Sequence, residues 1–240
     1  MVVVDLHLQD PVPDSFATHL SPNTYLTLES AGVRRRYLAG TPLFHQGDLT
    51  RHVFLIEDGW VKITATSSRG WSALLALRGP GDIVGEMSAL DSQPRMATVT
   101  TLTLVSGVLV PGERLDVCIA NDPSVALAIS RHLAKSLRES DNQRMQFGAS
   151  NGDGRLVNVL IDLMDRVGKP GEYGAIRIDL PLSQQDLASS VGVSREVVAR
   201  TLRVLRSRKT IETGRRSIVV LKPDVLRALG RSVSMSTEPS

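Results

Sequence analysis

Residues 81–98 read GDIVGEMSALDSQPRMAT, and this stretch decides how the rest of the sequence is interpreted. A short apolar run ends at Gly85, Glu86 follows at once, and Arg95 comes after an intervening polar segment. A guanidinium presents a planar fork of donors to a phosphate, and a carboxylate accepts hydrogen bonds from a ribose hydroxyl. Glycine lets the backbone approach a ligand closely. The stretch therefore predicts a site for a small anion that carries a sugar.

The same stretch resembles the phosphate-binding cassette of cyclic-nucleotide-binding domains, which carries the pattern Gly-Glu followed by Pro-Arg-x-Ala-Thr. The residues that fall on this pattern are Gly85, Glu86, Pro94, Arg95, Ala97 and Thr98. The spacing is similar to that of the bacterial cyclic-AMP receptor (CRP/FNR) family and of the eukaryotic kinase regulatory subunits. The effector-binding residues that the resemblance implies within the cassette are Gly85, Glu86, Met87, Arg95, Met96 and Ala97.

One position departs from the family pattern. The residue after the arginine is usually small or carries a hydroxyl, and here it is Met96, whose thioether cannot donate to a phosphate oxygen. Two interpretations therefore stay open. In the first, the site binds a cyclic nucleotide, with cyclic AMP expected and cyclic GMP possible. In the second, Glu86 and Arg95 form a buried ion pair in a protein of the same fold that senses another effector or none.

The composition is that of an ordinary globular protein, with 240 residues of which 42% are hydrophobic and 22% charged, enough for one large or two small domains. No apolar run approaches the ~18–20 residues of a membrane span, and the first residues lack the pattern of a secretory signal. Cys118 is the single cysteine, which excludes an internal disulfide or an iron–sulfur ligand set. We expect a buried thiol, no metal site, no membrane partner and a cytoplasmic protein.

Short β-prone runs dominate residues 33–110, with Gly, Pro, Asp and Asn between them every eight to twelve residues. This spacing predicts a compact antiparallel sandwich or barrel. Before it, residues 1–21 contain prolines that break long elements, and we expect a mobile arm that leads into a short helix at Pro22–Ser30. Trp60 and Trp71 are predicted to lie in or near the core.

A long helix is predicted from Asp122, a suitable N-cap before Pro123, to about residue 147. At ~24 residues it would span ~36 Å, too long to be covered by one small roll. The resemblance implies that this helix pairs with its twin in a dimer, and that Ser140 and Asp141 reach the nucleotide base, partly across the dimer. Exposed helix surface is the alternative for both residues. The glycine-rich residues 148–154 are predicted to form a hinge.

Basic residues concentrate towards the C-terminus. Between residues 195 and 216, eight basic residues stand against two acidic ones, which is the expected footprint of a nucleic-acid contact. Ser183 and Ser194 are placed to cap two helices that Gly192 joins by a tight turn, so this segment predicts a helix-turn-helix. A β-hairpin wing is expected after it, with strands at Ile211–Gly214 and Ser217–Leu221 and with Arg215 and Arg216 at its bend.

The helix-turn-helix also resembles the DNA-binding domain of the CRP/FNR family, whose recognition helix carries the pattern S-R-E-x-x-x-R. The residues on it are Ser194, Arg195, Glu196 and Arg200. Arg195 can bind guanine through two hydrogen bonds and Glu196 can accept from cytosine, while Arg200 reaches another base or a phosphate. Further contacts, mainly with the DNA backbone, are expected from Ser183, Gln185 and Arg215, with a diffuse contribution from Thr201, Arg206, Arg208 and Lys209 as exposed residues.

The resemblance implies an α+β protein: an N-terminal cyclic-nucleotide-binding β-roll of jelly-roll type, a long dimerisation helix and a C-terminal winged helix-turn-helix. The implied division is an arm at 1–21, the cyclic-nucleotide-binding domain at 22–121, the dimerisation helix at 122–147, the hinge at 148–154, the DNA-binding domain at 155–231 and a disordered tail at 232–240. The implied function is that of a homodimeric, effector-gated transcription regulator. Its implied partners are a palindromic double-stranded DNA site and RNA polymerase.

Three alternatives compete with this interpretation. A regulator of the same fold could be independent of cyclic nucleotides, and Met96 is the argument for it. An architectural DNA-binding protein would lack sequence preference, which the Arg195 and Glu196 pair argues against. An enzyme with a nucleotide-sensing domain would need a nucleophile–base constellation, and the C-terminal region shows none, so we expect no enzymatic activity.

Overall fold

A computed structural model describes residues 11–149 and 151–235, with side chains described at 11–145 and 151–231. The chain divides into two compact units, residues 1–138 and 139–240. None of the helices in the described part of the chain is both long and apolar enough to cross a membrane.

The N-terminal unit contains two four-stranded antiparallel sheets, which confirms the predicted sandwich. One sheet has the strand order β1-β8-β3-β6 and the other has the order β2-β7-β4-β5. The strands are β1 Val33–Tyr37, β2 Pro42–Phe44, β3 Val53–Asp58, β4 Val61–Thr66, β5 Ser72–Arg78, β6 Ile83–Val84, β7 Thr98–Thr101 and β8 Val105–Val110.

The central strand β3 is buried on both faces. Because side chains alternate along a strand, Phe54 and Ile56 pack in the cluster that contains Phe44. Val53 and Leu55 pack in a second cluster that contains residues of the flanking helices. These helices are α1 Pro22–Ser30, α3 Gly112–Asn121 and the first turns of α4 Pro123–Ala149. A further short helix of this unit, α2 Glu86–Asp91, follows β6 after Gly85.

The N-terminal arm is not loose in its described part. Phe16 lies in a 3₁₀ turn at Phe16–His19 and is only 1% exposed, because it packs in the helix-side cluster with Leu28. Val12, Ser15 and Phe16 therefore anchor this segment to the core, contrary to the expectation of a mobile arm, while residues 1–10 lie outside the described part. The helix predicted at Pro22–Ser30 is confirmed as α1.

The two tryptophans differ from each other. The ring of Trp60 lies against Gly79, where an added Cβ would come within 2.7 Å of it, so this residue packs as predicted. Trp71 is 59% exposed, so its assignment near the core is wrong; it follows the tight turn at Gly70 that joins β4 to β5. Cys118 is buried, as predicted, and burial raises the pKa of its thiol.

The start of α4 matches the predicted cap, since Asp122 Oδ1 accepts from the backbone N–H of Ser124 at 3.0 Å. The hinge predicted at residues 148–154 is helical at both ends, because α4 continues to Ala149 and the next helix begins at Gly152. Helix α5 Gly152–Val167 begins three residues earlier than predicted, and Asn151 caps it by accepting from Gly154 at 2.9 Å. A Cβ on Gly152 would come within 2.6 Å of Val193, so this glycine serves close packing.

The C-terminal unit is a winged helix-turn-helix. Its elements are α5, β9 Gly168–Pro170, β10 Ile176–Ile178, α6 Gln184–Val191, α7 Arg195–Ser207, β11 Ile211–Thr213, β12 Ile218–Val220 and α8 Pro223–Met235, with the sheet order β11-β12-β10-β9. Strand β9 and helix α8 were not predicted from the sequence. Leu226 of α8 is fully buried, and the helix continues through residues 232–235, so that part of the expected disordered tail is helical. Residues 236–240 lie outside the described part.

Candidate functional site

The cassette begins with a glycine in a conformation that other residues rarely adopt. Gly85 has φ +88° and precedes α2 directly. A Cβ at this position would come within 2.7 Å of Arg95 Nη1 and 3.0 Å of the carbonyl oxygen of His52. Both the backbone conformation and the close approach of the arginine therefore require glycine.

Arg95 is held against the wall of the cassette and is only 3% exposed. Nη1 donates to the carbonyl oxygen of Gly85 at 2.7 Å, and Nη2 donates to that of His52. Nε donates to Thr50 Oγ1 at 3.1 Å, and the guanidinium carbon lies 4.0 Å from the centre of the Phe44 ring. Burial lowers the pKa of Arg95. Of the five N–H donors of a guanidinium, these contacts leave two among the described residues.

Glu86 is largely buried beside a second set of polar residues. Its Oε1 lies 3.9 Å from His132 Nε2 on α4, and no ion pair joins it to Arg95 among the residues that the structure describes. Burial raises the pKa of Glu86, while the charges of Arg78 and Arg95 oppose that shift. The ion-pair interpretation of the cassette therefore does not describe this geometry.

Arg78, which the sequence analysis did not single out, is buried behind the cassette at the end of β5. Its Nη2 donates to Ser136 Oγ on α4 at 2.8 Å. Arg78 ends a strand just before Gly79 and Pro80, and nothing in this local sequence indicates its contact with the helix. In the structure Arg78 connects the strand that leads towards the cassette with the long helix.

The other predicted effector-binding residues differ in how exposed they are to solvent. Ala97 is buried, whereas Met87 and Met96 are exposed, Met96 by 54%. Ser140 and Asp141 are exposed on α4, where Asp141 lies 3.3 Å from Arg144 one turn later.

The helix-turn-helix forms by the predicted signals. Ser183 and Asp186 make a reciprocal capping box at the start of α6, and Gly192 ends that helix at φ +63°. Ser194 caps α7 by accepting from Val197 at 3.4 Å. The inward faces of the two helices are buried and consist of Leu187, Ala188, Val191, Val198, Leu202 and Leu205.

The predicted DNA-reading residues are exposed on the outer side of this motif. The exposed residues are Ser183, Gln185, Ser194, Arg195, Glu196, Arg200 and, in the wing, Arg215. A hydrogen bond from Ser194 lowers the pKa of Glu196. Glu196 and Arg200 share one helix face because they are four residues apart.

Thr201 differs from its expected role. It is 7% exposed, and its single hydroxyl proton donates to Asp153, with the carbonyl oxygen of Val197 also within hydrogen-bond distance. The prediction that it is an exposed contributor to phosphate affinity is therefore wrong. Arg200 Nη2 lies 3.3 Å from Asp153 Oδ2, a pairing that the sequence analysis did not foresee. Arg206, Arg208 and Lys209 are exposed as predicted.

A β-roll with this cassette, followed by a long helix and a winged helix-turn-helix, defines a class of DNA-binding regulators that carry a cyclic-nucleotide-binding domain. Comparisons with known proteins agree. A model of the cyclic nucleotide-binding domain matches residues 34–122, and a model of the Crp-like helix-turn-helix domain matches residues 154–229.

Curated relatives cover most of the chain. It is 32% identical over 181 residues to a CRP-like cAMP-activated global transcriptional regulator of Mycobacterium tuberculosis, which covers 75% of this chain and 80% of that protein. It is 31% identical over 196 residues to the cyclic AMP receptor protein of Thermus thermophilus, with 82% of this chain and 87% of that protein covered. The chain belongs to the CRP/FNR family of transcription regulators, and these relatives are regulators, not enzymes.

A solved structure is similar over the same extent. The c-di-GMP responsive global regulator CLP of Xanthomonas campestris superposes with a TM-score of 0.73 at 26% identity, covering 83% of this chain and 99% of that one. The order of the β-roll, the helix and the winged helix-turn-helix is thus that of a known family architecture.

Proposed function

We propose that this protein is a homodimeric transcription regulator whose DNA binding is gated by a cyclic mononucleotide, with cyclic AMP as the first candidate and cyclic GMP as the second. The observation that carries the proposal is Arg95, a buried guanidinium held against a glycine backbone with two N–H donors left for a ligand. A cation that has already lost its water binds an anion more strongly than an exposed one. The two relatives described as cAMP-dependent support the choice of nucleotide.

In this proposal the cassette holds the ligand by its phosphate and its sugar. The two remaining donors of Arg95 bind the phosphate oxygens, and Glu86 accepts from the ribose hydroxyl. Gly85 and Ala97 leave room for the ring, and the exposed side chains of Met87 and Met96 offer apolar surface beside it. Ser140 and Asp141 are proposed as base contacts from the family resemblance alone.

The proposed DNA contacts divide into base-reading and backbone-binding groups. Arg195 reads guanine and the ionised Glu196 reads the cytosine amino group, with Arg200 on the same helix face as Glu196. The proposed backbone contacts are Ser183, Gln185, Ser194 and Arg215. A dimer would read two half-sites about 34 Å apart, the spacing known for this docking geometry, of which the catabolite activator is a standard example.

Gating requires the effector to bind the DNA-binding arrangement more tightly than the other arrangement. Couplings of this kind are typically about 1–3 kcal/mol, and the linkage is reciprocal, so DNA must tighten effector binding by the same factor. Recruitment of RNA polymerase at the target site, in the cytoplasm, completes the proposal.

A second candidate is a regulator of the same fold that answers to a different effector. Met96 supports it, because a 54% exposed thioether stands where the family usually has a small or hydroxyl-bearing residue. The structural relative described as c-di-GMP responsive shows that this fold accommodates another effector class.

Calorimetric titration of nucleotide-stripped protein with cyclic AMP and with cyclic GMP, without DNA, tests the proposal. We expect micromolar or tighter binding of one of them. Arg95→Ala should weaken that binding by more than about tenfold, because it removes charge-assisted hydrogen bonds, whereas the exposed Arg36→Ala should not. Absence of heat from either nucleotide would favour the second candidate, and unchanged affinity in Arg95→Ala would contradict the site.

A further inference from the structure

Asp153 occupies a fixed position beside the recognition helix α7. It lies in the first turn of α5, where Asn151 caps the helix and Gly152 packs closely on Val193. The positive end of a helix stabilises a carboxylate in its first turn. The hydroxyl of the buried Thr201 donates to Asp153 Oδ1, so the carboxylate is held from two sides before any DNA is present.

The same carboxylate holds Arg200. Nη2 of Arg200 lies 3.3 Å from both Oδ1 and Oδ2 of Asp153. The Arg200 side chain is otherwise 62% exposed, and these contacts use only one of its three nitrogens. Among the described residues, Nε and Nη1 therefore stay available for a nucleic acid.

Anchoring an arginine through one nitrogen changes its preference between DNA bases and DNA phosphates. A free arginine side chain loses more rotamer entropy on binding than one that is already anchored. A neighbouring carboxylate repels a charged DNA phosphate more strongly than it opposes the neutral acceptor edge of a base, to which the remaining N–H groups can still donate. Anchoring therefore disfavours the phosphate contact and favours the base contact.

We propose that Asp153 is a positioning residue that directs Arg200 to a base edge and so determines specificity at one base pair of each half-site. The proposal rests on the proposed DNA-reading function of α7. It also decides between the two roles that sequence alone leaves open for Arg200, a base contact or a phosphate contact.

The test compares sequence discrimination, not affinity alone. The full-length wild type first selects its site from a duplex library randomised around a palindrome, at fixed salt, with and without cyclic AMP. Single base-pair variants of that site are then titrated by fluorescence anisotropy with Asp153→Asn, Arg200→Ala and the double variant. In Asp153→Asn, the asparagine keeps an acceptor for Thr201 and removes the negative charge. Arg200→Lys is titrated as well, because lysine keeps the positive charge and removes the planar fork of donors.

We expect Asp153→Asn to lose about three- to tenfold in discrimination at the base pair that Arg200→Ala also affects. Affinity for unrelated DNA should stay equal or rise slightly, and the double variant should lose no more than Arg200→Ala alone. Asp165→Asn is the matched control, since it breaks a comparable surface ion pair with Arg227 in the same unit and should change no discrimination.

Several results would overturn the proposal. Asp153→Asn could leave every base preference intact, or change affinity equally for all sequences, which would show a general electrostatic or structural effect. Arg200→Ala without any change in base preference would show that Arg200 is a phosphate contact. Failure of the wild type to select any sequence would overturn the proposed function itself, whereas normal selection with a normal Arg195 effect would isolate the failure to Asp153.

Discussion

Arg95 and Arg195 place the same side chain in opposite surroundings. Arg95 is buried against backbone carbonyl groups and the Phe44 ring, so its charge is desolvated and its position is fixed. Arg195 is exposed at the first position of α7, where its fork is free to bind the edge of a guanine. We therefore expect Arg95→Ala to weaken nucleotide binding and Arg195→Ala to weaken DNA binding.

Arg195→Ala should cost ~1–3 kcal/mol of DNA-binding free energy and relax specificity at a single base pair, because a bidentate base contact is lost. Anisotropy titrations of the selected site and its single base-pair variants measure this. Arg208→Ala is the control and should weaken binding to all sequences alike. A uniform loss in Arg195→Ala would show that Arg195 contacts only phosphate.

Burial of His132 makes the stability of the N-terminal unit depend on pH. Desolvation, assisted by the charges of Arg78, Lys135 and His19, lowers the pKa of His132 to about 3. An unfolded histidine titrates near ~6.5, so between these values the unfolded state binds more protons. Stability is therefore complete above about pH 6.5 and falls as the pH drops through that window. Glu86, whose pKa is raised, acts in the opposite direction.

Comparison with His132→Gln isolates this contribution. Between pH 6 and 5 the wild type should lose about 1 kcal/mol more free energy of unfolding than the variant does. Urea unfolding followed by tryptophan fluorescence reports this unit, because Trp60 and Trp71 are the two tryptophans of the chain. Equal pH dependence in both proteins would contradict the buried, neutral state of His132.

Side-chain contacts between residues distant in sequence could not be predicted. Glu86 and Arg95 were identified because one local pattern contains both. Arg78 was not, since its contact with Ser136 joins residues 58 positions apart. Asp153 and Arg200 are 47 positions apart. Both pairings exist only after the elements have packed, and no local pattern encodes them.

The turn from β6 into α2 is the element on which the cassette depends. Gly85 must have a positive φ and must leave space for Arg95. Gly70 has φ +79° but nothing within 4 Å of an added Cβ, so it shares the backbone conformation without the crowding. Comparison of the two glycines therefore separates the cost of backbone strain from the cost of steric crowding.

Gly70→Ala should destabilise the N-terminal unit by about 1 kcal/mol through backbone strain alone. Gly85→Ala should cost a further ~1–3 kcal/mol, because the methyl group displaces the arginine, and it should also weaken nucleotide binding. Urea unfolding and calorimetric titration measure the two effects. Equal costs for the two variants would mean that the contact between Gly85 and Arg95 is unimportant.

The elements that sequence predicted well are those with strong local signals. The capping box at Ser183 and the cap at Ser194 mark both helices of the helix-turn-helix. β9 was missed because Gly168–Pro170 contains only three residues, among them glycine and proline, and becomes a strand by pairing with β10. A signal for α8 was present, since Pro223 and Asp224 begin a run with Leu226 and Leu229 at helical spacing. Gly152 indicated flexibility but packs closely on Val193, and Gly154 is buried in the first turn of α5.

On the scale of the whole molecule, an effector-binding unit precedes a DNA-binding unit, and the boundary between them falls within α4. The fold class and the order of the parts could be predicted from sequence, because two separate family motifs, the cassette and the recognition-helix pattern, occur in the family's order. The coupling free energy between effector binding and DNA binding is the same from either side, so it can be measured by titrating either ligand.

The most direct test is the affinity of nucleotide-stripped protein for its selected duplex, measured by anisotropy at fixed salt with and without cyclic AMP. A coupling of about 1–3 kcal/mol predicts that the nucleotide raises affinity about 5- to 150-fold, for the palindromic site more than for a scrambled one. Arg95→Ala should bind the same duplex without this increase. Equal affinity of the wild type with and without cyclic AMP would contradict cyclic-AMP gating of this regulator.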